Sequence, residues 1–289
     1  MEGLMMPLLR FFLIAVALLA LFAPAALAGD PPSSSPYSWI IGEHPHPFLQ
    51  IVYGIDWPRQ KRLEAEFPSI GAVELKGGYL YVDTLKNGVV TLGEGFIMGG
   101  WYNDGLGGGT GGTEGLKGSL GRFGFGYGQG YGYALPNAVI VPYFLSGATW
   151  TKLSTDRPQT LGETDNDILD RYEGTFRFGL AAESGIRANI GQKFSLSGGY
   201  EANIIYPRFV FWEWLGSYAI VGAANGVVSF FSGDMLDESP ALGPIMVFAL
   251  RTAIAWGFYQ LLREEMNWPF DSETPLTHET LKFGVTFIL

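Results

Sequence analysis

The sequence predicts an all-β membrane barrel of eight antiparallel strands, with a two-helix insertion before the last strand. Three observations carry this. Apolar and polar residues alternate with period two over much of the chain. Glycine (41 of 289 residues) and aromatic residues (15%) are abundant, while charged residues make up only 16%. Short and long connections alternate between the candidate strands. Period-two alternation marks strands that face two environments. A sheet in hydrocarbon must close on itself, because lipid offers no partner to an open edge.

The chain opens with a leader. Arg10 precedes the apolar run Phe11 to Phe22, followed by Pro24 and the small-residue ending Ala26-Leu27-Ala28. That order predicts a secretory signal peptide over residues 1–28. Residues 29–47 are Pro/Ser-rich and read as irregular. Within them "EHPHP" offers Glu43, His44 and His46 as a thin metal set, and Pro45 and Pro47 favour an extended linker. The barrel domain is expected over residues 48–289.

The first strand is "FLQIVYGIDW" (48–57). "GAVELKGGYLYVD" (71–83) then sets Val73, Leu75, Tyr79 and Tyr81 against Glu74, Lys76 and Gly78. "GVVTLGEGFIMGGWY" (88–102) follows, then "GRFGFGYGQGYGYAL" (121–135) and "NAVIVPYFLSGATWTKL" (137–153). "RYEGTFRFGLAAESGIRANI" (171–190) puts Tyr172, Phe176, Phe178, Leu180 and Ile186 opposite Glu173, Arg177, Glu183 and Arg187. "KFSLSGGYEANIIY" (193–206) continues the pattern. "LKFGVTFIL" ends the chain with Leu281, Phe283, Val285, Phe287 and Leu289 in alternation. Tilted spanning strands need roughly 9–11 residues, and these segments meet that length.

The short connections fall near 84–87, 135–137 and 190–192, and the long ones at 58–68, 103–119, 154–170 and 207–277. With this alternation and the apolar last strand, the chain resembles the small eight-stranded outer-membrane β-barrels of Gram-negative bacteria. The resemblance implies a bacterial outer-membrane location. It implies outer-membrane lipid and lipopolysaccharide as surroundings, and recognition of the C-terminal strand by barrel insertion machinery. Leu289 stands where such strands typically end in an aromatic residue.

Glycine occupies every even position from Gly124 to Gly132, with Phe123, Phe125, Tyr127, Tyr131 and Tyr133 on the odd ones. The aromatics fit a lipid-facing wall and the glycines an inner face. An inner wall of glycine either allows tight coiling, makes room for side chains from other strands, or clears an apolar groove along Gly124, Gly126, Gly128, Gly130 and Gly132. Pro142, on the next strand, cannot donate to the ladder and could weaken pairing enough to admit a lipid tail.

A polar wall is expected inside. Glu173, Arg177, Glu183 and Arg187 alternate in sign, with Lys193, Glu201 and Asn203 on the neighbouring strand. Such a network would fill the narrow lumen of an eight-stranded barrel. The insertion 207–277 reads as two apolar helices interrupted by Glu213 and Arg251. These helices could lie on the membrane surface, pack on the barrel wall or enter the lumen.

"ETDNDILD" offers Asp165, Asp167 and Asp170 in an outer loop as weak calcium candidates, more simply read as a solvated acidic loop. His278 reads as a surface histidine at the start of the last strand. A net charge of −10 argues against nucleic acid. Without cysteine neither disulfides nor thiolate metal sites exist, and no cofactor is expected. The sequence therefore points to a structural or ligand-binding outer-membrane barrel with a lumen plugged by polar side chains. The alternatives are a lipid-modifying enzyme (a lipid A or phospholipid acyl hydrolase or acyltransferase) and a narrow solute channel.

Overall fold

The computed structural model describes residues 45–85, 87–136, 138–190 and 193–289. The expected signal peptide and most of the Pro/Ser-rich segment, Glu43 and His44 included, lie outside the described residues. All eight expected segments form strands: β1 His46–Gln60, β2 Ile70–Thr84, β3 Val89–Gly108, β4 Lys117–Leu135, β5 Ala138–Asp156, β6 Arg177–Ile190, β7 Phe194–Ile205 and β8 Leu276–Ile288. Each strand pairs antiparallel with the next. β8 returns to β1, with Phe48 opposite Ile288 and Gln60 opposite Leu276, so the sheet closes.

Alternation decides what faces where. On β1, Leu49, Ile51 and Tyr53 are exposed while Gln50 and Val52 are buried. On β2, Val73 and Leu75 are exposed around buried Glu74, and Lys76 is buried beside them. The exterior is apolar and part of the interior is charged, the reverse of a protein that folds around an oily core in water.

The lumen is filled in three layers. At the short-turn end Phe48, Leu80, Val82, Val90, Leu92, Val141 and Leu145 form an apolar floor. Charged residues fill the middle. At the long-loop end Tyr102, Leu120 and Ile205 meet Phe67, Leu116, Leu169 and Tyr172 from the connections, which makes an apolar cap.

The glycines of β4 do face inward, and their neighbours take up the space. A Cβ on Gly126 would lie 2.7 Å from Phe96 and one on Gly130 2.6 Å from Val141, while one on Gly128 would run into Leu145. A Cβ on Gly126 would also stand 2.6 Å from the Ser146 carbonyl of β5. Room for neighbours and close strand coiling thus operate together. The groove expected along Gly124–Gly132 is closed, because side chains of β3 and β5 occupy it. Gly128→Leu is expected to force this floor apart, at a cost of about 1–3 kcal/mol. Urea titration of the refolded barrel would read the loss, and an unchanged midpoint would mean that the inner face is empty.

Two departures concern local structure. β6 starts at Arg177 rather than at 171, because Gly174 turns the chain at φ +80°. "ETDNDILD" is a short helix, α1 (Glu163–Asp170), rather than a loop. Asp165 accepts the backbone N–H groups of Glu64 (3.0 Å) and Ala65 (2.9 Å), and Asp170 pairs with Arg157 at 2.8 Å. These acids tie the cap together. Asp167 does not converge with them on one point, and no cluster of three acidic or imidazole ligands occurs among the described residues.

The insertion forms two helices, α2 (Phe211–Glu238) and α3 (Gly243–Leu262). At 1.5 Å per residue they measure about 42 and 30 Å. α3 packs against β4, β5, β6 and β7, and α2 packs on α3. Of the three placements the sequence left open, the hairpin takes the outer wall of the barrel.

Candidate functional site: the charged lumen and the helical seam

The middle of the lumen holds four cations (Lys76, Arg122, Arg187 and Lys282) against four glutamates (Glu74, Glu94, Glu183 and Glu201). All are buried. Arg122 binds Glu201 through Nη1 at 2.5 Å and Nη2 at 3.2 Å, and also binds Glu74. Lys282 Nζ donates to Glu74 at 2.8 Å and to Glu201 at 2.7 Å, and stands 3.4 Å from Glu183. Lys76 holds Glu183 at 3.0 Å, and Arg187 holds Glu94 at 2.5 Å. Tyr143 donates to Glu183 at 2.8 Å and Tyr102 donates to Glu74. Desolvating this many charges is costly, so the cluster stands only because nearly every oxygen has a donor.

Above it, His278 Nδ1 lies 2.8 Å from Asp56 Oδ1, and Thr280 Oγ1 donates to the same oxygen at 2.5 Å. His278 is 1% exposed, so the expectation of a surface histidine is corrected. β8 begins at Leu276, two residues earlier than a surface position requires, and His278 falls on the inward parity. Its Nε2 makes no hydrogen bond and lies under the apolar cap.

The expected lumen residues divide. Glu183, Arg187, Glu201 and Asn203 line the interior, with Asn203 Nδ2 donating to Thr149 at 3.3 Å. Glu173 and Lys193 do not. Glu173 precedes β6 and accepts the Thr155 N–H (2.8 Å) and an Arg157 ion pair (2.8 Å) in the cap. Lys193 sits exposed at the short turn before β7. Arg177, the first residue of β6, lines a groove at the barrel rim. The two-residue alternation of the sequence runs on past the true strand ends. The same parity, read on β1, β2, β3, β4 and β8, would have found Asp56, Glu74, Lys76, Glu94, Arg122, His278 and Lys282.

Pro142 faces outward under α3. The β4–β5 ladder runs to Gly130 opposite Tyr143 and resumes at Tyr133 opposite Ile140. The weakened pairing is therefore present, but Pro244, Val247 and Phe248 of α3 cover it. The space left there is about 10 Å³, the size of one water probe, which leaves no passage for an acyl chain.

Polar contacts fasten the hairpin at three heights. At the short-turn end Tyr133 donates to the Ala241 carbonyl (2.6 Å) and Asn87 to that of Leu236 (2.8 Å). Midway Thr252 Oγ1 donates to Ser184 Oγ at 3.0 Å and Arg251 to Ser229 Oγ at 3.2 Å. Gln129 adds its amide oxygen to Arg251, in the orientation the hydrogen-bond pattern demands. Towards the long-loop end the carboxylate of Glu279, on the outer face of β8, accepts from Tyr259 at 2.9 Å and from Tyr200. Glu213 meets Asn267 at 3.1 Å, a full helix away from Arg251. Helices in lipid gain little from hydrophobic burial, so polar contacts and close packing hold them.

The geometry defines a closed eight-stranded antiparallel barrel with an ion-paired lumen and an external helical hairpin. Solved structures similar to it include two that are alike in fold only. Neisserial surface protein A (NspA) is 10% identical, with a TM-score of 0.40, covering 86% of this chain and all of that one. Ail, the attachment invasion locus protein of Yersinia pestis, is 9% identical, with a TM-score of 0.34 and the same coverage. No family model matches the chain, and no curated protein matches it.

Proposed function

We propose that this chain is an outer-membrane barrel that acts through its outer wall and rim, in a structural or binding role, with its lumen shut. The observation that carries the reading is the layered lumen, in which an apolar floor, a ring of matched charges and an apolar cap leave no continuous aqueous path. The girdle of exposed Ile51, Leu75, Ile97, Phe125, Leu196 and Phe283 supports a hydrocarbon environment, since soluble monomers rarely expose apolar surface so continuously. Two external helices long and apolar enough to span support it further. Outer-membrane lipid and lipopolysaccharide are the surroundings this reading implies. The alternating outer face of β8 is the segment that insertion machinery would meet.

Purified protein in planar bilayers is expected to show no steady conductance steps. Steady steps would mean that the ion-pair layer is not a plug, and would favour a channel. The folded chain is also expected to migrate faster on SDS gels before boiling than after. Identical migration would count against the barrel.

A further inference from the structure

At the long-loop end of β5 and β6, a groove of about 450 Å³ opens on the outer wall, where the chain leaves the barrel for α2. Its volume lies in the range of small-molecule sites, about 300–1,000 Å³. Trp150, Phe178, Tyr206 and Phe209 wall it, and Arg177 and Arg208 contribute the charge. The walls are braced. Phe178 meets Trp150 edge-on at 5.7 Å, stacks on Tyr206 at 5.7 Å and meets Phe209 edge-on at 5.1 Å.

The charges are unbalanced. The Arg177 side chain makes no ion pair or hydrogen bond among the described residues, and its Nε is buried without a partner. Arg208 stands 3.5 Å from Glu273, but that carboxylate also faces Arg171 at 3.6 Å. Two guanidiniums thus share Glu273, and Arg177 faces no carboxylate among the described residues. Guanidiniums in a groove walled by aromatic rings suit an anion that carries its own apolar part.

We infer that this groove holds a phosphate-bearing membrane lipid, its headgroup on Arg177 and Arg208 and the start of its acyl chain against Trp150 and Phe178. The inference rests on the outer-wall reading above, because only a membrane brings such a lipid to this wall. Free phosphate would satisfy the arginines but leave the aromatic walls unused.

The test is native mass spectrometry of the full chain in detergent, titrated with phosphatidic acid. Phosphatidylcholine serves as the charge-neutral headgroup and inorganic phosphate as a competitor. Phosphatidic acid is expected to stay bound. Arg177→Gln and Arg208→Gln are each expected to weaken it about fivefold, the weight of one basic residue at an anionic membrane surface. Trp150→Ala should weaken it as well, whereas Arg62→Gln at a different rim groove should not. Arg177→Lys keeps the charge and should fall between wild type and Arg177→Gln.

Equal retention of phosphatidylcholine, or unchanged binding in the Arg177→Gln/Arg208→Gln pair, would overturn the inference. Displacement of the lipid by millimolar phosphate, with Trp150→Ala silent, would overturn it in favour of a simple anion site. Loss of heat-modifiable migration in the wild-type chain would instead strike the barrel reading, so the two failures separate.

Discussion

Replacing Arg122 by methionine is expected to be the most damaging single change in the lumen. Arg122 holds two carboxylates, Glu74 and Glu201, with two of its nitrogens. Methionine roughly fills the stem but leaves both acids short of a donor in a space that water cannot reach. Breaking a buried ion pair from one side typically costs about 3–5 kcal/mol, a large share of the 5–15 kcal/mol that holds a typical domain together. The urea midpoint of the refolded barrel should therefore fall far below that of the wild type. Adding Glu201→Gln removes one stranded charge and should restore part of the loss. A double variant as unstable as the sum of its single changes would show that the two residues do not interact. Lys282 cannot substitute for Arg122. It already serves Glu74 and Glu201 through a single nitrogen, and a point charge cannot add the two-nitrogen grip that the Arg122 fork has on Glu201.

The second large effect concerns the hairpin. The chain has no cysteine, so an engineered pair gives an unambiguous result. Ser184 Oγ on β6 and Thr252 Oγ1 on α3 lie 3.0 Å apart. Ser184→Cys with Thr252→Cys should form a disulfide on mild oxidation, because the two side chains already touch and a small rotation would bring their sulfurs to the roughly 2.0 Å of an S–S bond. The product should show altered migration on non-reducing gels, and either cysteine alone should show none. If the pair stays reduced while the barrel remains heat-modifiable, the hairpin is not docked on this wall.

Much of the barrel was legible because its two environments differ so sharply. Leu75 beside Lys76, or Phe123 beside Arg122, leaves no choice about which residue faces lipid. The eight strands and the alternation of turn lengths follow from that contrast. The charged cluster was legible in principle, yet the sign-alternating row on β6 and β7 drew attention from single charges elsewhere. Arg122 sits at the head of a glycine run and Lys282 between two apolar residues, so neither belongs to a visible charge pattern. Glu173 and Lys193 were misplaced because period two says nothing about where a strand stops, and here Gly174 and a tight turn decide. The helix Glu163–Asp170 carries four acids in eight residues, and so short and acidic a stretch reads as a solvated loop. The seat of the hairpin was not legible, because helices apolar on every side show no face that points to a neighbour. Its fasteners are single polar atoms such as Thr252, Glu279 and Ser229, which gain meaning only when the two surfaces meet.

The place of the hairpin in the chain has a consequence for assembly. Seventy or so residues separate the end of β7 from the start of β8, and the roughly (3/2)RT ln n cost of joining distant ends grows only slowly with that length. The final strand nevertheless emerges after two long apolar helices, the second of which, α3, lies on β4 to β7. The cylinder is therefore completed from a side the helices already flank. An open intermediate with α3 in place would shield the Pro142 gap before the last edge is sealed, and the weakest seam would then be guarded against a stray strand.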